Sequence, residues 1–254
     1  MTRLTKRILP LILLAQLFGC ANPKVNEIVV PGSTGAGGTY GRAENAKVLT
    51  DAKVSGLRIM RVRVNESRCV SGYQDMIFLH GEINDDSTFM VKSLLDSIRE
   101  DGRCKIKESD GQYYRIPIFL SSHGGYLRDG FELGRLFREY GVSTRITINQ
   151  TCASSCAAAF LGGSYRGMDT DSSRLLFHSP YSIEGSSRHT GNVSIDCSSE
   201  KSSRDLKTYY VEMLGQEKGE RLHKKTMSYC SASDGWTLNK DAAQLFGITT
   251  HISD

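Results

Sequence analysis

Cys152-Ala153-Ser154-Ser155-Cys156-Ala157-Ala158-Ala159-Phe160-Leu161-Gly162-Gly163 is the stretch whose reading decides the fold. The β-branched run Thr144-Arg145-Ile146-Thr147-Ile148 precedes it and predicts a buried strand. Three consecutive alanines then favour helix. The segment therefore predicts a strand, a turn and a tightly packed helix, with Ser154 or Ser155 near its first turn. The first N–H groups of a helix lack internal acceptors and point outward. Beside a serine that attacks a carbonyl, they are placed to hold a developing oxyanion. The same pattern fits a serine N-cap on a helix of small packing residues, so the flanking segments decide between the two.

Upstream, Tyr114-Arg115-Ile116-Pro117-Ile118-Phe119-Leu120 predicts a strand, followed by Ser121-Ser122-His123-Gly124-Gly125. Leu127, Phe131, Leu133, Leu136 and Phe137 then fall at helical spacing. A strand, a Gly-Gly turn and a helix N-terminus make a backbone-donor site for an anion or an oxyanion, or a plain βα turn. His123 is expected to line the cleft rather than to act as a base. Downstream, Ser173-Arg174-Leu175-Leu176-Phe177-His178-Ser179-Pro180 predicts a short strand with His178 at its end, before a Ser/Gly-rich loop at 182–194.

Further out, Ser55 to Val64 suggests early strands, as a hairpin. Asp75 to Ile83 is a strand; Asn84, Asp85, Asp86 and Ser87 offer N-caps for a helix carrying Phe89, Val91, Leu94, Leu95 and Ile98. Cys104 to Tyr113 is polar and predicts a loop. The C-terminal third predicts helices at about 200–214, about 218–229 and from Lys240 to Phe246, with Trp236 between the last two. Alternating strands and helices imply an α/β fold with right-handed crossovers and a largely parallel sheet flanked by helices.

The 254 residues suit one domain with a real core, and a net charge of +4 with mixed signs gives no basic tract for nucleic acid. Residues 1–19 predict a signal peptide, with a basic Met1–Arg7 and an apolar Ile8–Phe18 too short to span a membrane as a mature helix. Leu17-Phe18-Gly19-Cys20 resembles the bacterial lipobox, which implies lipidation of Cys20. Acyl chains would then anchor the protein to the cell envelope without a transmembrane helix, and Ala21 after Cys20 favours the outer membrane, facing the periplasm. Residues 20–46, rich in glycine, are expected to form a tether, and 47–254 the folded body.

Six cysteines remain: Cys69, Cys104, Cys152, Cys156, Cys197 and Cys230. An even number in an exported chain points to disulfides. No CxxC-like cluster with histidine is present, so no metal is expected. Six cysteines allow fifteen pairings and the sequence does not choose. Joining neighbouring segments gives Cys69–Cys104 and Cys197–Cys230, and leaves Cys152–Cys156 to brace the turn that carries Ser154.

Taken together, the segments resemble the Clp-type serine proteases and the wider crotonase-like fold, over about residues 75–250. Ser122-His123-Gly124-Gly125 resembles that family's Ser-Pro-Gly-Gly turn, with His123 in place of proline. Ala153-Ser154-Ser155-Cys156-Ala157 resembles its nucleophile turn, and Phe177-His178-Ser179-Pro180 its Ile-His-Gln-Pro base motif. Leu238-Asn239-Lys240-Asp241-Ala242-Ala243-Gln244-Leu245-Phe246-Gly247-Ile248 resembles its late Leu-Ser-Ala segment. The four stand in the family's order. The resemblance implies repeated ββα units, a largely parallel sheet and a helical C-terminal region.

By position, the resemblance makes Ser154 the nucleophile, with Ser155 the alternative, and His178 the general base. The N–H groups of Ser155 and of Gly124 or Gly125 would form the oxyanion hole. The family's triad aspartate falls on Ser231, and the nearest acid is Asp234. The third member is therefore Asp234 after a local shift, or Ser231, or absent. The implied function is an exported, lipid-anchored serine peptidase needing no cofactor and no ATP. It would act on peptides or unfolded segments laid along an edge strand near Gly124-Gly125. Family members assemble into rings or trimers, so homo-oligomers are expected. The rival readings are a noncatalytic Clp-like scaffold that binds peptides, and a crotonase-type enzyme acting on acyl thioesters.

Overall fold

The computed structural model describes residues 46–67, 69–101, 104, 115–184 and 194–250. The signal peptide, Cys20 and the tether up to residue 45 lie outside the described residues, as does most of the loop expected at 104–113.

The chain opens with an antiparallel hairpin, β1 (Ala46–Val54) and β2 (Leu57–Asn65), which turns at Ser55-Gly56. Ser55 and Gly56 both have positive φ there. β2 pairs antiparallel with β3 (Tyr73–Ile83). From β3 on, the sheet is parallel. β4 (Pro117–Gly125) pairs with β3, and β5 (Ser143–Ile146) and β6 (Thr151–Ala153) both pair with β4. β7 (Tyr165–Met168) continues from β5, and β8 (Arg174–Phe177) from β6. β11 (Trp236–Leu238) closes that branch antiparallel to β8. A separate two-stranded ribbon, β9 (Ser182–Glu184) with β10 (Ser194–Asp196), follows His178.

Six helices complete the chain among the described residues: α1 (Asp85–Glu100), α2 (Leu127–Tyr140), α3 (Ser155–Leu161), α4 (Glu200–Leu214), α5 (Gln216–Thr226) and α6 (Lys240–Leu245). The expected α/β class holds. α1 starts where the capping residues predict, because Asn84 Oδ1 accepts the Asp86 N–H at 3.1 Å and Ser87 Oγ accepts the Asn84 N–H at 2.9 Å. Alternation along the strands sorts the two sheet faces. Ile77, Leu79, Ile118 and Leu120 join Val91, Leu95, Leu133 and Phe137 of the helices in one core. Val62, Met76, Phe78 and Phe119 form a second cluster on the other face.

Three differences from the sequence reading bear on the site. The run at 144–148 is not the strand that leads into Ser154. It ends as β5, turns through Asn149 at φ 58, and restarts as the three-residue β6. The Gly-Gly turn belongs to β4 itself, whose pairing with β3 runs on to Gly125. Trp236, between the last two helices as expected, lies in a short strand, β11, that the sequence pattern does not reveal.

The expected disulfides form: Cys69–Cys104, Cys152–Cys156 and Cys197–Cys230. The alanine and glycine run of α3 is explained by packing. Every residue of α3 is buried. A Cβ on Gly162 would lie 1.9 Å from the carbonyl oxygen of Gly134 on α2. A Cβ on Gly134 would lie 1.8 Å from the hydroxyl of Tyr209 on α4, and that hydroxyl donates to the Ala158 carbonyl at 2.8 Å. Helices α2, α3 and α4 thus meet backbone to backbone. Alanine is ordinarily the better helix former, and Gly162 has an ordinary helical φ of −69°, so Gly162→Ala tests the contact cleanly. It should destabilise the protein by about 3 kcal/mol, lowering the midpoint of thermal unfolding by about 6–12 °C; an unchanged midpoint would refute the close crossing.

Candidate functional site

Ser154 stands between β6 and α3 with φ 57° and ψ −123°. Side-chain-bearing residues rarely adopt that conformation, which costs about 1–3 kcal/mol unless surroundings enforce it. Here they do. The Ser154 N–H donates to the Leu176 carbonyl of β8 at 2.9 Å, and the Ser154 carbonyl accepts from the Ala158 N–H at 3.1 Å. The Cys152–Cys156 disulfide spans the turn and both its cysteines are fully buried. The serine is half-buried.

Ser155 behaves differently. It is fully buried, and its Oγ has no hydrogen-bond partner among the described residues. A Cβ on Gly130 of α2 would lie 2.7 Å from Ser155 Cβ, so its side chain faces the helix interface. Its N–H opens α3 and has no acceptor within the helix. Of the two candidate serines, Ser154 is the one the fold leaves accessible.

Gly124 presses against this turn. It has φ 103°, and a Cβ there would fall 2.7 Å from Ser154 Cβ, 2.8 Å from the Ala153 carbonyl oxygen and 3.1 Å from the Ser155 nitrogen. The tight approach requires glycine on both counts. The Gly124 N–H is already partnered, donating to Ser122 Oγ at 2.9 Å. His123 is exposed on the β4 end.

His178 reaches the same place along β8. Register sets Ala153 beside Leu176, so Ser154 and His178 cap neighbouring parallel strands. The imidazole is largely buried and stacks at a tilt against Tyr181, ring centres 5.3 Å apart. His178 Nδ1 lies 2.8 Å from the Ser179 carbonyl oxygen. A carbonyl only accepts, so Nδ1 carries the proton and Nε2 presents its lone pair. Nε2 is buried and has no hydrogen-bond partner among the described residues. Burial holds the imidazole below its ordinary pKa, and the bond to Ser179 acts against that shift. His178 is therefore neutral and basic in form at neutral pH.

The acid expected as third member does not reach the imidazole. Asp234 is exposed at the end of a 3-10 turn, Ala232–Asp234, and makes no hydrogen bond or ion pair with His178 among the described residues. Ser231 is buried, with its Oγ 2.8 Å from Ser233 Oγ. The position an acid would take at Nδ1 is held by the Ser179 carbonyl. The structure thus brings Ser154, Ser155, Gly124, Gly125 and His178 to one edge of the sheet and leaves Asp234 outside. Ser179 was not foreseen, since it acts through a backbone atom that every residue carries.

A histidine with a depressed folded pKa contributes stability that is complete above its unfolded pKa, near 6.5, and lost as pH falls towards the folded value. His223, half-buried against Ser203 Oγ at 3.1 Å, is shifted the same way by burial. Asp129 works in the opposite direction, since burial raises its carboxyl. The urea midpoint should therefore fall between about pH 7 and pH 5, and His178→Gln should flatten that slope. An equal slope in the variant would show that the imidazole is not desolvated.

No family model matches the chain, and no curated protein matches it. Among solved structures the chain is similar to a mutant of ClpP1 from Listeria monocytogenes, with 19% identity and a TM-score of 0.48, over 70% of this chain and 90% of that one. That likeness concerns backbone shape and assigns no residue a role.

Proposed function

We propose that the chain is a serine hydrolase acting on peptides. Ser154 Oγ attacks the carbonyl carbon of the scissile bond while His178 Nε2 takes its proton. The tetrahedral oxyanion is held by the N–H groups of Ser155 and Gly125. His178 then returns the proton to the leaving amine, and an acyl-Ser154 remains. Water, deprotonated by His178, releases the acid and restores the serine. The observation that carries this reading is the buried, unpartnered Nε2 lone pair of His178 on the strand beside a strained, accessible serine. An isolated buried acceptor costs about 1–3 kcal/mol, a cost that a serine hydroxyl turned towards it would remove.

A peptide fits the surroundings because β9 and β10 pair only with each other among the described residues. β9 begins at Ser182, shortly after His178, and the outer edges of the ribbon offer backbone groups to an extended chain. We further propose that the protein is exported, lipidated on Cys20, anchored at the outer membrane facing the periplasm, and self-associating. The lipobox-like Leu17–Cys20 and the three disulfides support the first part.

One observation favours a noncatalytic, peptide-binding scaffold: His178 has a carbonyl and not a carboxylate at Nδ1. A carbonyl fixes the tautomer but brings no negative charge to the imidazolium. Fluorophosphonate labelling of the mature protein separates the two. The hydrolase reading expects labelling that is abolished in Ser154→Ala, retained in Ser155→Ala and reduced by about 100-fold or more in His178→Ala. Absence of labelling in the folded, oxidised protein would favour the scaffold.

A further inference from the structure

The residue after His178 is held by three hydrogen bonds, and the hold ends in a disulfide. Ser179 is 1% exposed. Its N–H donates to the Tyr229 carbonyl at 2.7 Å, and its Oγ donates to the Cys230 carbonyl at 3.2 Å. Its own carbonyl accepts from His178 Nδ1 at 2.8 Å. Tyr229 and Cys230 belong to no helix or strand; they lie between the end of α5 and the 3-10 turn at Ala232. From the α5 side they are steadied by the Tyr229 N–H, which donates to the Thr226 carbonyl at 3.1 Å. On the other side the Cys197–Cys230 disulfide ties them to the segment that leaves β10 and enters α4.

We propose that Ser179 and the Cys197–Cys230 disulfide are the positioning groups of the site, and that they stand where a serine hydrolase ordinarily has its acid. The disulfide fixes the Tyr229-Cys230 carbonyls, these fix Ser179, and the Ser179 carbonyl fixes His178 with its proton on Nδ1. This inference rests on reading His178 as the general base. It adds a form of regulation to that site: the base is aligned in the oxidised protein and loosened in the reduced one.

The three disulfides differ in their exposure to a reductant. Cys152 and Cys156 are fully buried, and Cys69 and Cys104 are 3% and 9% exposed. Cys230 is exposed and Cys197 half-exposed. A dithiol reductant therefore meets Cys197–Cys230 first. Its thiolate attacks one of the two sulfurs, breaks the S–S bond and forms a mixed disulfide. Its second thiol then displaces the remaining cysteine. Two electrons and two protons pass to Cys197 and Cys230 as thiols, and the reductant leaves as its own disulfide.

The test is the tautomeric state of His178 in the full chain, read from two-bond proton–nitrogen NMR correlations of the imidazole, beside the rate of fluorophosphonate labelling. Wild type, Cys197→Ser with Cys230→Ser, Ser179→Ala, and Cys69→Ser with Cys104→Ser as the remote control are compared. The oxidised wild type should give the Nδ1–H pattern alone. The Cys197/Cys230 double variant should give a mixture with the Nε2–H form, with labelling slowed by about 10- to 100-fold. Ser179→Ala should shift both readings in the same direction by less. The control should keep the wild-type pattern and label within about twofold of wild type. Should the double variant not fold, mild reduction of folded wild type with dithiothreitol, with thiols at Cys197 and Cys230 confirmed by mass spectrometry, gives the same comparison. A folded double variant or reduced protein that keeps the pure Nδ1–H pattern overturns the proposal. A tautomer shift in a protein that never labels supports the positioning chain and removes the hydrolase reading. Normal labelling with an unchanged tautomer leaves the hydrolase reading and removes the positioning chain.

Discussion

The close approach of α3 to its neighbours is the constraint from which the site follows. α3 is seven residues long, wholly buried, and lined by Ala157, Ala158, Ala159 and Gly162. Larger side chains would hold it away from α2 and from the β4 backbone. Because it lies so near, the chain leaving β6 has no room for a gradual turn into the helix. It must reverse within one residue, and that residue is Ser154 at φ 57°. Gly124 then has to be glycine because the same reversal brings Ser154 Cβ and the Ala153 carbonyl to its Cα. The strained serine and the glycine opposite are two results of one packing constraint.

The base is governed by a different balance. Burial favours the neutral imidazole, and the Ser179 carbonyl chooses which nitrogen holds the proton. Together they prepare a proton acceptor at Nε2. They do less for the state that follows acceptance. Hydrogen bonds to an ionised partner are about twice as strong as those between neutral groups, so an imidazolium here is stabilised less than it would be beside a carboxylate. The arrangement therefore leaves the lone pair free while lowering its affinity for the proton.

Much of this was legible in the sequence, for reasons that can be stated residue by residue. The small-residue run at 156–163 and the Gly-Gly pair at 124–125 survive as signals because close backbone contact admits few other residues. The disulfides followed the rule of neighbouring segments because α4 and α5, which separate Cys197 from Cys230, run side by side and return the chain to its start. What escaped was whatever leaves no residue-type mark. The break between β5 and β6 turns on a single residue, Asn149, adopting positive φ just after a β-branched run. β7 and β11 have only four and three residues, too few for a periodic pattern to emerge. The partner of His178 is a main-chain oxygen. Side-chain patterns left Asp234, Ser231 or no third member open, and the 3-10 turn carries Asp234 out to the surface.

The short strands also explain why cysteines gather where they do. β6 has three residues, β8 four and β11 three, so each contributes only a few ladder hydrogen bonds, and each such bond is worth about 1 kcal/mol net. Strand ends of that length fray unless something beyond the ladder holds them, and Ser154 and His178 both stand at strand ends. Two of the three disulfides act at these positions: Cys152–Cys156 across the serine turn, and Cys197–Cys230 one hydrogen bond away from Ser179. A crosslink works chiefly by removing freedom from the loosened chain, so it holds a strand end without lengthening the strand. The covalent braces therefore permit a sheet edge built from minimal strands, with Ser154 and His178 at its rim.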